Sequence, residues 1–128
     1  MTLQISEMMT RAVHTVGTED SVQNVEEAMN LHHALCVPVV DDKGVVFGII
    51  SSSDIVHFHE ARKNPRNVRA WEMCTYKPIE VHPDATAEEV ARLMVKKGIH
   101  HVVVTENGSL VGIVSSLDFV QDYLKHIH

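Results

Sequence analysis

The sequence is poor in the features that mark disulfide-bonded, membrane-spanning and nucleic-acid-binding proteins. It has two cysteines in 128 residues, no run of 18 apolar residues and a formal net charge of −6 at pH 7. Two cysteines are too few for a disulfide framework, and no segment is long and apolar enough to span a bilayer. The N-terminus lacks the pattern of a secretory signal, and an acidic surface repels phosphate groups. We therefore expect a soluble, cytoplasmic protein that binds neither nucleic acid nor membrane.

An internal repeat organises the residues that are present. Residues 44–56 read GVVFGIISSSDIV and residues 108–120 read GSLVGIVSSLDFV, with seven identities in 13 aligned positions. Unrelated segments match at roughly one such position. Upstream, Glu7-Met8-Met9-Thr10 aligns with Glu72-Met73-Cys74-Thr75. Two copies of one unit therefore fill the chain, and the predicted domains are residues 1–61 and 70–128, joined by a basic linker at residues 62–69.

Both copies predict the same order of elements. Apolar residues around Val13–Val16 and Ile79–Val81 predict short strands. An amphipathic helix follows each of them, with Ser21 and Thr86 as the predicted caps. A hairpin comes next in each copy: Cys36–Val40 with Val45–Ser51, and His101–Thr105 with Leu110–Ser115. Second helices are expected to begin at Asp54 and Asp118. The sequence therefore predicts a mixed α/β (α+β) fold with two β-α-β-β-α units packed together, because a unit of about 60 residues is marginal alone.

A serine and an aspartate recur at the start of each second helix. Ser51 and Asp54 follow the strand of the first copy, and Ser115 and Asp118 follow that of the second. Free amides at a helix N-terminus attract anions, and a carboxylate accepts hydrogen bonds from both hydroxyls of a ribose. The pattern suits a nucleoside phosphate. The alternative is that these residues are only helix caps, for which serine and aspartate are preferred.

The chain resembles a tandem pair of CBS domains, or Bateman module. The resemblance covers about residues 3–125 and rests on Met-Thr, a capped helix, Pro-Val-Val-Asp and the doubled Gly-h-h-Ser-x-x-Asp, where h is apolar; in the second copy Val102 replaces the proline equivalent to Pro38. It implies two domains packed sheet to sheet around an internal twofold, and homodimers. It also implies AMP, ADP or ATP as a regulatory ligand rather than a required cofactor. One cleft would use Ser51, Ser53, Asp54, Ile79, Ile99 and His100, and the other His14, Ala34, Leu35, Ser115 and Asp118.

The second cleft departs from the family pattern. Leu117 replaces the equivalent of Ser53, and His14 is a bulky polar ring where adenine needs a small apolar neighbour. His100 is mostly neutral at pH 7, given its unperturbed pKa near 6.5, and so suits a polyphosphate less well than arginine. We therefore expect the Asp54 cleft to bind better than the Asp118 cleft, and AMP or ADP to bind better than ATP.

Catalysis and metal binding find less support in the sequence. No nucleophile–base arrangement is visible, and the paired histidines do not have the spacing of metal ligands, so no metal site is predicted. The chain is expected to be a stand-alone regulatory module, not an enzyme, that signals in trans to an unknown effector protein. Two alternatives remain open. One is a ligand-free interaction scaffold whose clefts are filled by side chains such as His14 and Leu117, and the other is a histidine-based metal sensor.

Overall fold

The computed structural model describes residues 3–127 as a mixed α/β chain, which confirms the predicted fold class. After a 3₁₀ turn (Ile5–Glu7), the elements follow in this order: β1 (Val16–Gly17), α1 (Val22–His32), β2 (Cys36–Val40), β3 (Val46–Ser51), α2 (Ser52–Glu60), α3 (Ala70–Met73), β4 (Thr75–Tyr76), β5 (Glu80–Val81), α4 (Ala87–Lys97), β6 (His101–Glu106), β7 (Ser109–Ser115) and α5 (Ser116–Lys125). The β-α-β-β-α order holds in both copies. None of the helices between residues 3 and 127 is long and apolar enough to cross a membrane.

The chain forms two compact units, each with its own sheet and core. The first unit runs from His14 to Pro78 and carries the sheet β1-β2-β3-β4. The second combines the chain up to Val13 with the chain from Ile79, and carries the sheet β5-β6-β7. The predicted boundaries follow the duplicated sequence. The compact units differ from them because the residues that lead into each copy pack on the other copy.

Two leading segments make this exchange. The first leading segment (residues 3–10) packs in the second unit, where the carbonyl of Leu3 accepts a hydrogen bond of 2.8 Å from the amide of Ala87 at the start of α4. The second leading segment (residues 68–75) packs in the first unit, where the carbonyl of Val68 accepts one of 2.9 Å from the amide of Val22 at the start of α1. Each segment therefore satisfies an amide that a helix N-terminus leaves free. The whole of the predicted linker, residues 62–69, lies within the first unit.

Each leading segment then crosses over a glycine of the hairpin. Thr10 exchanges two backbone hydrogen bonds with Ile113, and β4 pairs with β3 in the equivalent place. A Cβ added at Gly48 would lie 2.6 Å from the carbonyl oxygen of Thr75, and one added at Gly112 would lie 2.5 Å from Sδ of Met9. A glycine inside a strand predicts that a ligand or another backbone approaches closely, and the structure shows a segment of the other copy at both glycines.

Alanine at these glycines should destabilise the fold by different amounts. At Gly48 the added Cβ meets the backbone carbonyl of Thr75 and Sγ of Cys74, both at 2.6 Å, whereas at Gly112 it meets mainly the flexible side chain of Met9, with the Thr10 carbonyl at 3.0 Å. Overpacking costs typically 1–3 kcal/mol, so we expect Gly48→Ala to lower the free energy of unfolding by about 3 kcal/mol or more and Gly112→Ala by about 1–2 kcal/mol. Urea denaturation measures both. Gly17→Ala is the control, because its nearest neighbour would lie at 3.6 Å, and an equal loss in all three variants would contradict this account.

Candidate functional site

The repeated Ser-x-x-Asp forms a capping box in both units. In the first motif (Ser51–Asp54), the hydroxyl of Ser51 accepts from the amide of Asp54 at 3.3 Å, and Oδ2 of Asp54 accepts from the amide of Ser51 at 2.8 Å. In the second motif (Ser115–Asp118) the same two distances are 3.2 and 2.8 Å. The serines are therefore the N-caps, and each aspartate is the third helical residue rather than the first.

Capping uses only part of each carboxylate. The recorded hydrogen bonds of Asp54 and Asp118 all go to Oδ2, and Oδ1 of each has no partner among residues 3–127. Both side chains are partly exposed. An ionised carboxylate has about four lone-pair sites, so Oδ1 can accept from both hydroxyls of a ribose while Oδ2 continues to cap the helix. The capping and ligand-binding interpretations are therefore compatible.

The loop before each hairpin packs against the motif of its own unit. The amide of Ser52 donates to the carbonyl of Leu35, and the amide of Ser116 donates to that of His100, both at 2.9 Å. The structure thus brings Leu35, with the adjacent Ala34, to the first motif, and His100, with the adjacent Ile99, to the second. That each pair contributes to ligand binding at the motif of the other unit stays a prediction.

A depression lies beside the first motif, lined by residues of α1, of α2 and of the loop before β2. Its volume is about 300 Å³. Among the predicted site residues it includes only Ala34 and Leu35. Its lining residues are Glu26, Met29, Asn30, His33, Ala34, Leu35, Ser52 and Ile55. Sequence reasoning missed this surface because its lining residues are far apart in the sequence.

Within residues 3–127, the other two predicted site residues, Ile79 and His14, do not contact the motif of their own unit in the way that Leu35 and His100 do. Ile79 packs against the core of the second unit, where its carbonyl accepts from the amide of Val103 at 3.2 Å. The ring of His14 stacks on that of His32 at the end of α1, with centroids 3.6 Å apart and planes 9° apart. Spacing in the sequence gave no signal for this pair. Among residues 3–127, no three His, Cys, Asp or Glu side chains are grouped so that they could hold a metal ion.

Buried groups near the motifs have shifted pKa values. Burial raises the pKa of the Cys36 thiol to about 12, and the negative charge of Asp54 adds to the rise. Burial, and then Asp54, also raise the pKa of Cys74, against a backbone hydrogen bond that lowers it. Burial and then the neighbouring His100 lower the pKa of His101, more than Asp118 raises it. Both thiols are therefore protonated at neutral pH, and His101 is neutral.

Cys36 should make stability fall in alkaline solution. Its thiol ionises near its ordinary pKa of 9.0 in the unfolded chain but only near 12 in the folded one. The stabilisation is complete below pH 9 and is lost as the pH rises towards 12, because the unfolded state then binds fewer protons. We expect the free energy of unfolding to fall by about 2–3 kcal/mol more in the natural chain than in Cys36→Ala between about pH 8 and pH 11. Urea denaturation at each pH measures this, and parallel curves would contradict it.

Comparison with known proteins identifies the family. The profile of the CBS domain matches residues 5–60 and 69–125. The chain is 31% identical over 113 residues to the uncharacterised protein YlbB of Bacillus subtilis, which covers 88% of this chain and 76% of YlbB. A second relative, MK0525 of Methanopyrus kandleri, is 31% identical over 121 residues, and the chain spans 62% of its length.

Solved structures agree with this assignment. The CBS domain pair of protein MJ0100, in complex with 5′-methylthioadenosine and S-adenosyl-L-methionine, has a TM-score of 0.88 at 25% identity and covers 99% of this chain and 100% of that chain. CBSX2 in complex with AMP has a TM-score of 0.86 at 21% identity, over 96% and 97% of the two chains. The chain therefore belongs to the CBS domain family and carries two CBS domains in tandem.

Proposed function

We propose that the two motifs bind adenosine nucleotides, with AMP or ADP favoured over ATP, and that occupancy regulates a partner protein. The observation that carries the proposal is the second oxygen of each aspartate, which the capping box leaves available to a ribose. The adenosine ligands of the MJ0100 domain pair, which is 25% identical to this chain, support the same ligand class. We also propose that Ile79, Ile99 and His100 contribute to the Asp54 site, and His14, Ala34 and Leu35 to the Asp118 site.

Regulation requires that the ligand prefer one conformation of the module. A nucleotide shifts a conformational equilibrium only by its differential affinity for the two states. The groups that would respond are the starts of α2 and α5, because the capping atoms and the proposed ligand-binding atoms belong to the same side chains. No nucleophile and base form part of this mechanism, so the proposed role is sensing rather than catalysis.

Adenosine nucleotides should raise the melting temperature through the two aspartates. A ligand at 100 times its Kd stabilises by about 2.7 kcal/mol, which for this size is on the order of ten degrees. Asparagine at both positions keeps one oxygen for the cap but presents an amide donor in place of the free acceptor. We expect AMP to raise the melting temperature of the natural chain and not that of Asp54→Asn/Asp118→Asn, in a scan of unfolding against temperature.

The control is Asp42→Asn, which makes the same type of replacement once, in an exposed turn, and should keep the full response. ADP, ATP and zinc belong in the same series. An AMP response that survives the double variant would contradict the proposed ribose contact. A response to zinc alone would support the metal-sensor alternative, and no response to any of them would support the scaffold.

We further propose that the chain forms homodimers through α5. Val120, Leu124 and Ile127 are 52%, 60% and 50% exposed. Val120 and Leu124 lie at i and i+4 on one side of α5, and Ile127 follows just after the helix ends at Lys125. No residue of α5 is buried. A twofold dimer covers the same stripe on both copies.

A charge in the middle of this stripe should separate the dimer. Leu124→Glu would place a carboxylate against an apolar surface, which is costly without a partner. We expect sedimentation velocity to show dimers of the natural chain and of the control Gln121→Glu, which adds the same charge elsewhere on α5, but monomers of Leu124→Glu. A monomeric natural chain, or a dimeric Leu124→Glu, would contradict the proposed interface.

A further inference from the structure

The two motifs differ in the hydrogen bonds of their hydroxyl groups. In the first motif, the hydroxyl of Ser51 lies 3.0 Å from Oδ2 of Asp54 and 2.9 Å from the hydroxyl of Ser53. Ser51 therefore has an acceptor for its proton within the motif. The hydroxyl of Ser51 donates to Oδ2 of Asp54. The exposed hydroxyl of Ser53, whose partner among residues 3–127 is Ser51, can turn its proton towards a ligand oxygen. The first motif thus has, at the second helical residue, a hydroxyl that can donate to a ligand.

The second motif has hydrocarbon in the same place. Leu117 is 56% exposed at the position equivalent to Ser53, and its side chain has no hydrogen-bonding group. The hydroxyl of Ser115 still caps α5 by accepting from the amide of Asp118. The neighbouring His101, which pairs with Ser115 across the hairpin, is kept neutral because burial lowers its pKa. The start of α5 therefore has an apolar side chain where the start of α2 has a hydroxyl, and an uncharged imidazole where the first unit has the thiol of Cys36.

The backbone amide of the second helical residue, Ser53 or Leu117, adds to this difference. Of the first three amides of α2, that of Ser52 donates to Leu35 and that of Asp54 to Ser51. The amide of Ser53 has no partner among residues 3–127, and the same holds for that of Leu117 in α5. A phosphate oxygen at the first amide meets a hydroxyl of the same residue. At the second it meets an isobutyl group, which displaces water from the anion without replacing its hydrogen bonds.

We infer that the two motifs select different ligands. The Ser53 motif prefers an adenosine 5′-phosphate, whereas the Leu117 motif, which can still hold a nucleotide, prefers an adenosine compound with no phosphate at the 5′ position, such as the nucleoside or a thioether of it. This inference rests on the proposed function, because it concerns the same two ribose-binding aspartates. It adds residues 53 and 117 as the positions that determine specificity.

Calorimetric titration of the full chain with AMP and with adenosine tests the inference. Each motif is measured separately, in a variant that disables the other. Asp118→Asn leaves the Ser53 motif, and Asp54→Asn leaves the Leu117 motif. We expect the ratio of AMP affinity to adenosine affinity to be at least about tenfold higher in Asp118→Asn, since a hydrogen bond to a charged group is worth at least this factor. Ser53→Leu in the first background should lower the ratio about tenfold, and Leu117→Ser in the second should raise it about tenfold.

Adenosine binding is the internal control for folding, because neither exchange removes the ribose contact. Leu117 also precedes the α5 stripe, so sedimentation of each variant shows whether a change of assembly accompanies the change of ratio. Equal ratios in the two backgrounds, or ratios that neither exchange alters while adenosine still binds, would overturn the inference and leave the proposed function intact. Failure of the natural chain to bind either compound would overturn the proposed function, and the inference with it.

Discussion

The fold depends on the close passage of a backbone segment over a glycine, made once in each unit. Gly48 and Gly112 have no side chain, and the space where a Cβ would lie is filled by Thr75 and Met9 with their neighbours. The crossing positions each leading segment so that a carbonyl upstream of it reaches the first free amide of a helix. The hydrogen bonds that begin α1 and α4 therefore come from residues of the other copy.

The serine–aspartate motif combines structural and chemical roles in a few atoms. Oδ2 and the serine hydroxyl complete a capping box, which satisfies amides that would otherwise be unpaired. Oδ1 contributes nothing to the cap. Because the cap fixes the rotamer of the aspartate, the free oxygen is held in position before any ligand arrives, and such preorganisation reduces the entropy lost on binding.

The helices and strands could be predicted from the sequence, but the packing of each leading segment on the other copy could not. The hairpins, the caps at Ser21 and Thr86 and the β-α-β-β-α order follow from local pattern and turn chemistry, and the structure confirms them. The strand predicted from Val13 begins only at Val16, because a two-residue pairing with β2 replaces a longer strand. Repeat alignment assigns residues 3–10 to the first copy, and only long-range pairing reveals that they pack with the second. The stacking of His14 on His32 depends on such pairing as well.

The same holds at the site. Ser51, Ser53 and Asp54 are neighbours in sequence, and their spacing of three residues predicts that they meet at a helix start. The packing of Leu35 against Ser52 joins distant residues and has no local signature. The duplicated glycines were the one available signal of a close approach, and they identified the place correctly without identifying the segment.

The exchanged leading segments bear on how such a molecule could have arisen. A single copy with this sequence would lack the carbonyl and the strand that complete its own helix and sheet. It could obtain them only from a second chain, by reciprocal domain swapping. Joining two copies in one polypeptide makes that swap intramolecular, so that completion of each half no longer depends on protein concentration.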